Sequence, residues 1–266
     1  MRLILSLVFA SLLGQAAPLD DAFQRLYNFD FAGANRIIDT YAAQNPADPM
    51  VYSVRASSLL FQELDRMHIL EAEFFGSDKR VLDKHPQRPD PEIRKRFFAA
   101  VNEAQERAKT RLATAPNDVN ALFAIAMATG LTGDYTGLVE KRQWASLTYV
   151  KQSTDYAGRV LRIDPNFTDA YLTVGLTEYL VGSLPFFLRW FVHIDGVDPS
   201  KQAGEQKLER VAQSGRYLKP FAKILLAVYY LREKQPARSA DFLRELTRDF
   251  PENPLFRREL AKLQTH

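Results

Sequence analysis

The segment STDYAGRVLRIDPNFT, residues 153–168, decides the fold, because three other segments of the chain end in the same way. They are ANRIIDTYAAQNPADP at 34–49, AQERAKTRLATAPNDV at 104–119 and SADFLRELTRDFPENP at 239–254. Aligned on Pro46, Pro116, Pro165 and Pro251, the residue twelve places before the proline is always small: Ala34, Ala104, Ser153 and Ser239. The residue eight places before it is always apolar: Ile38, Ala108, Ala157 and Leu243. Positions four apart share one face of a helix. The small residue lets a neighbouring helix approach, and the apolar one is buried against it. The proline then stops the helix, and a short polar turn starts the next.

From these segments outward the chain reads as helical. Ala, Leu, Glu, Arg and Lys dominate, alternating strand patterns are absent, and Pro and Gly fall mainly between apolar-periodic stretches. The expected fold class is all-α, with helices paired into hairpins. The pattern resembles a degenerate tetratricopeptide-repeat (TPR) solenoid, in which helix pairs of about 34 residues stack into a superhelix. Tyr27 to Ala34 fits the turn inside the first unit, and Lys234 to Ala237 the turn inside the last. Pro46 to Pro116 spans 70 residues, which suits two units of 35; the next intervals, 49 and 86, are not multiples. Extra residues are therefore expected near 76–90, 131–150 and 182–200. A plain helical bundle without superhelical stacking is the competing architecture.

The resemblance goes further over roughly residues 118–264. Gly137-Leu138-Val139-Glu140-Lys141-Arg142, Ile163-Asp164-Pro165 followed by Asp169-Ala170-Tyr171-Leu172 and Gly175, then Leu184-Pro185, Gly204, Leu208 and the stretch from Tyr217 to Tyr230 resemble a group of exported bacterial TPR proteins without assigned function. More distantly, they are similar to the eukaryotic outer-mitochondrial TPR family implicated in inclusion-body clearance. Where that family has a Gly-rich turn, this chain has Ile194-Asp195-Gly196-Val197-Asp198-Pro199, with one glycine. The resemblance implies a scaffold and names no substrate.

Residues 1–17 read as a signal peptide: Arg2, an apolar run from Leu3 to Leu13, and Gly14 and Ala16 at the positions a signal peptidase reads. That leaves 18–266 as a single domain, periplasmic or secreted. The apolar run is too short to span a bilayer, so no membrane span is expected after cleavage. The 266 residues carry a formal charge of +3, from 35 basic and 32 acidic side chains mixed along the length. This argues against nucleic acid as a partner. With zero cysteines, disulfides, thiolate nucleophiles and Cys-ligated metals are excluded.

Enzyme signatures are thin. The histidines are His68, His85, His193 and His266, with no H-E-x-x-H pairing, and there is no G-x-S-x-G, Walker A loop or G-x-G-x-x-G. No enzymatic activity, cofactor or metal is expected. Two stretches stand out as binding candidates. LPFFLRWFVHI, 184–194, reads as an inserted apolar helix near 185–194, with Phe187, Trp190 and His193 its marked residues; it is either a buried plug or an exposed patch for an apolar small-molecule ligand, a hydrophobic peptide or another subunit. The second, Tyr135 to Tyr156, interleaves aromatic and charged residues at helical spacing. There Glu140, Arg142, Trp144, Tyr149 and Lys151, with Tyr171, Glu178 and Tyr179 on the next helix, are the expected contacts for a protein or peptide partner in the envelope. The alternative for each is core packing or a solvated face. The functional expectation is a non-catalytic protein-binding scaffold; the alternative is a carrier of an apolar or amphipathic ligand in the solenoid interior, as an auxiliary transport subunit.

Overall fold

The computed structural model describes residues 18–71, 87–183 and 197–264. The candidate signal peptide, the apolar stretch around Phe187, Trp190 and His193, and most of the expected extra segment 76–90 lie outside the described residues. Among those described there are eleven α-helices and no strand: α1 Pro18–Tyr27, α2 Phe31–Gln44, α3 Pro49–Arg66, α4 Pro91–Thr114, α5 Val119–Asp134, α6 Gln143–Ile163, α7 Ala170–Ser183, α8 Lys201–Ser214, α9 Lys219–Arg232, α10 Pro236–Asp249 and α11 Pro254–Gln264. Consecutive helices pack on one another, odd with even in hairpins and even with the next odd across the turns, and α3 also packs on α5. The fold is an all-α, solenoid-like stack of helical hairpins.

Local chemistry sets the ends of these helices. Asp30, Asp48, Asp90 and Asp118 accept backbone N–H groups of Gly33, Met50, Ile93 and Ala121 at 2.8 to 3.0 Å, satisfying donors that a helix start leaves free. Pro49, Pro91, Pro236 and Pro254 open their helices, where a missing N–H costs nothing. The second helix of every hairpin stops alike: Asn45, Ala115, Asp164, Gly215 and Phe250 each donate a backbone N–H to the residue four before. Proline follows in four of the five. All eight residues of the sequence pattern, from Ala34 and Ile38 to Ser239 and Leu243, are buried.

The fifth second helix, α8, is the one the proline alignment misses. Arg216 stands in the proline place, yet twelve before it is Gly204 and eight before it is Leu208, the same small and apolar pair. The small residue is required: a Cβ on Gly204 would lie 2.6 Å from the Gly175 carbonyl oxygen and 2.7 Å from the Tyr179 amide nitrogen of α7. Because the α8–α9 turn lacks a cap of its own, the preceding turn supplies one. The buried carboxylate of Asp169 accepts the N–H groups of Arg216, Tyr217 and Leu218 at 3.0 to 3.1 Å. Burial raises the Asp169 pKa against the lowering effect of those three bonds.

The irregular spacing also resolves. The 70 residues from Pro46 to Pro116 hold, among the described residues, a single hairpin with a long connection rather than two units of 35. The 86 residues from Pro165 to Pro251 hold two hairpins. Extra length therefore sits inside hairpins, after α3, α5 and α7. The tight hairpin ends at 28–30 and 233–235 each place a non-glycine residue at positive φ, Phe29 at 63° and Lys234 at 58°; His68 and Lys141 do so in the longer connections. Among the described residues one stretch, Val119–Val139, is long and apolar enough to cross a membrane by composition, with mean hydropathy 1.2; it is 72% buried, flanked by α3, α4 and α6.

The hairpin stack returns on itself. Phe23 of α1 packs on Tyr217 with centroids 5.3 Å apart, Tyr27 on Phe250 at 5.5 Å, and Phe61 of α3 on Phe221 at 6.1 Å. Arg216 donates twice to Asp20 at 2.9 Å, Asn253 donates to the Tyr27 carbonyl at 2.8 Å, and Arg258 of α11 lies 3.5 Å from Glu71. The first two hairpins thus close against the last two, and the main core runs without a break from Leu19 to Phe256.

Candidate functional site

The start of α6 departs from the repeat. Five residues of π-helix, Tyr135–Val139, follow α5, and the extra turn carries Glu140 to a position between two cations. The Glu140 carboxylate lies 2.8 Å from Arg94 of α4 and 3.4 Å from Arg142, and Arg94 also covers the Phe98 ring at 4.8 Å. This clamp ties the residues entering α6 to α4. From it Trp144 projects with 84% of its surface exposed, followed on the same face by Leu147 and Lys151, both exposed. Three, four and seven residues apart, these make one stripe. Tyr149 points elsewhere: its Cβ sits against α5, 3.3 Å from where Gly133 would carry a side chain.

The candidates on α7 occupy different settings. Glu178 is 2% exposed; its carboxylate pairs with Lys207 at 2.7 Å and accepts the Asp198 N–H at 3.3 Å, tying α7 to α8 and to the residues entering α8. Tyr179 is buried edge-on against Tyr229, centroids 4.9 Å apart. Tyr171 donates its hydroxyl to the Pro165 carbonyl at 3.2 Å, and Arg210 lies over its ring at 4.1 Å. A contact between Thr154 and Thr177 hydroxyls, 3.0 Å, fixes the antiparallel register of α6 and α7. The structure therefore brings Glu140 and Arg142 together ahead of α6, sets Trp144 and Lys151 on one exposed face of it, and gives Glu178 to packing within the α7–α8 hairpin and Tyr179 to packing between hairpins. Phe187, Trp190 and His193 lie outside the described residues.

Sequence reasoning missed the polar groups beneath this surface. Tyr135 stacks on Phe97 at 4.6 Å, yet its buried hydroxyl has no hydrogen-bond partner, and neither has the buried amide nitrogen of Gln143. Burial, with Glu63 and Glu140 nearby, holds the Tyr135 pKa far above the usual phenol value. The neighbouring Asp134 is half-buried, and burial pushes its pKa up to about 7. Glu63 is fully buried, held by two bonds of 2.9 Å from Arg66 and by the Asp90 N–H at 2.8 Å. Among the described residues no three His, Asp or Glu side chains gather to hold a metal, and His68 is exposed, 3.9 Å from Glu71.

A separate cavity of about 300 Å³ opens where the turns between hairpins converge. Leu19, Met50, Phe123, Phe167 and Tyr217 give it an apolar wall; Tyr41, Asp48, Arg111, Asn120 and Arg216 give it a polar one. Comparison with known proteins returned no match, either to a protein-family model or to a curated protein.

Proposed function

We propose that this chain is a non-catalytic, TPR-like scaffold of the cell envelope that binds a partner protein through the start of α6. The observation that carries the reading is Trp144, 84% exposed on a helix whose entry is tied to α4 by Arg94, Glu140 and Arg142. Tryptophan anchors are over-represented at the centres of protein interfaces, and a rigid base lowers the entropy lost on binding. With Leu147 beside it and the exposed Arg142 and Lys151 flanking it, the surface suits an acidic, amphipathic segment of a partner. The space between the first and last hairpins is a poor alternative for an extended peptide, since Phe23, Tyr27 and Phe61 already pack there against Tyr217, Phe250 and Phe221. The basic, apolar and small-residue order of residues 1–17 supports export.

The test is site-specific photo-crosslinking in intact cells, with benzoylphenylalanine at position 144. A single dominant adduct is expected, lost when Lys151→Glu is added and absent when the probe is placed at Thr114, an exposed position on α4. Equal labelling from 144 and 114 would overturn the proposal.

A further inference from the structure

We propose that the cavity of about 300 Å³ at the converging turns is a binding site for one free α-amino acid with an apolar side chain. This site is separate from the α6 surface and rests on different residues.

The cavity exists because the solenoid closes. One part of its wall comes from Leu19 of α1 and from Arg216 and Tyr217 of the α8–α9 turn, residues held together by the bidentate pair of Arg216 with Asp20. Other parts come from the α2–α3 and α4–α5 turns. Charges act across the space: Arg216 is felt by the Tyr41 hydroxyl, and Asp48 by that of Tyr217. Its volume is at the lower limit of ligand pockets, which suits a small metabolite and not a lipid or an extended peptide.

The polar wall offers both kinds of hydrogen-bonding capacity. Arg216 uses Nε and Nη2 on Asp20, leaving Nη1 without a protein partner. Arg111 uses Nε on Asp118, leaving both terminal nitrogens. The exposed Asn120 side chain makes no hydrogen bond. These are donors for a carboxylate. Opposite in kind stands Asp48, whose oxygens each accept one bond, from the Met50 N–H and the Tyr41 hydroxyl, both at 2.9 Å, and each retain a second lone pair. That is an acceptor for an ammonium group. The free guanidinium and amide donors and the Asp48 acceptor line one wall, so a ligand carrying both a carboxylate and an ammonium group meets both kinds of group, whereas a ligand with either one alone meets only one of them. Phe123 and Phe167, centroids 4.8 Å apart, line the same cavity and would receive an apolar side chain.

The test is calorimetric titration of the full chain with three probes sharing one apolar body: phenylalanine, phenylacetate and phenethylamine. Saturable one-to-one binding of phenylalanine is expected, with phenylacetate and phenethylamine at least about tenfold weaker. Arg111→Met and Asn120→Leu should each weaken phenylalanine by about tenfold, while Trp144→Ala leaves it unchanged. If Arg111→Met fails to fold, Asn120→Leu decides, because that side chain has no protein partner to lose. No saturable heat with phenylalanine, equal binding of either singly charged probe, or full binding by Asn120→Leu would overturn the proposal.

Discussion

The seam that closes the solenoid and the open stripe on α6 use the same residue types to opposite ends. At the seam, Leu19, Phe23, Leu26 and Tyr27 of α1 are all buried, and Tyr27 donates to the Tyr217 carbonyl while its own carbonyl accepts from Asn253. Burial there drives the Tyr27 pKa well above the phenol range. On α6, Trp144 and Leu147 are exposed on a helix otherwise regular, with Lys151 in no ion pair among the described residues. The seam is an intramolecular interface between segments about 200 residues apart in sequence, and it joins ends that an open repeat protein would leave apart. The open stripe, by contrast, lies on the helix that follows the π-turn Tyr135–Val139.

The comparison breaks most readily at Asp169. Its carboxylate holds the turn that carries Arg216 and Tyr217 into the seam, so Asp169→Ala leaves three backbone N–H groups without their acceptor. We expect a loss of about 2–3 kcal/mol in urea unfolding, the cost of one buried and two partly buried donors left unsatisfied. A change below about 1 kcal/mol would mean that the seam contributes little to the fold.

Beneath the open face, Asp134→Asn sharpens the contrast through pH. Burial raises the folded pKa from the ordinary carboxyl range to about 7. The folded state therefore holds the proton more tightly than the unfolded chain, and the stability this confers is complete below about pH 4 and is lost as pH rises through 7. Asparagine removes that loss. The variant should match the parent at pH 4 and exceed it by about 1–3 kcal/mol at pH 8. Identical unfolding curves at pH 8 would place Asp134 in water.

The smallest effect is expected at Trp144. Because its side chain is almost wholly solvated, Trp144→Ala should shift the unfolding free energy by less than about 0.5 kcal/mol. A loss above about 2 kcal/mol would show that Trp144 is covered in solution and would remove the distinction between seam and stripe.

Much of the fold was legible in particular residues. The small and apolar pair before Pro46, Pro116, Pro165 and Pro251 marked four of the five second helices, because helix-on-helix packing admits little else at those two places. The fifth was hidden because a turn can be held in two ways. Four turns carry a proline; the fifth is held by Asp169, a residue 47 positions from Arg216 that no local pattern connects to it. Gly204 and Leu208 were the signal that could have found it. Site residues were less legible. Trp144 and Lys151 do share an exposed face, whereas Glu178 and Tyr179, of the same polar and aromatic character in the sequence, are buried, the one within the α7–α8 hairpin and the other between hairpins. Side-chain type alone does not separate a buried ion pair from an exposed one.

The sequence by itself determined that the chain is all helical, that its helices pair, and where most of them stop, since capping, proline and periodicity act over a few residues. Tertiary structure alone decided that the stack closes on itself, which aromatic residues the closure buries, and that Trp144 stays in water. Those outcomes depend on contacts between residues far apart in the chain, such as Phe23 with Tyr217 and Arg216 with Asp20, and no pattern spanning a few residues encodes them.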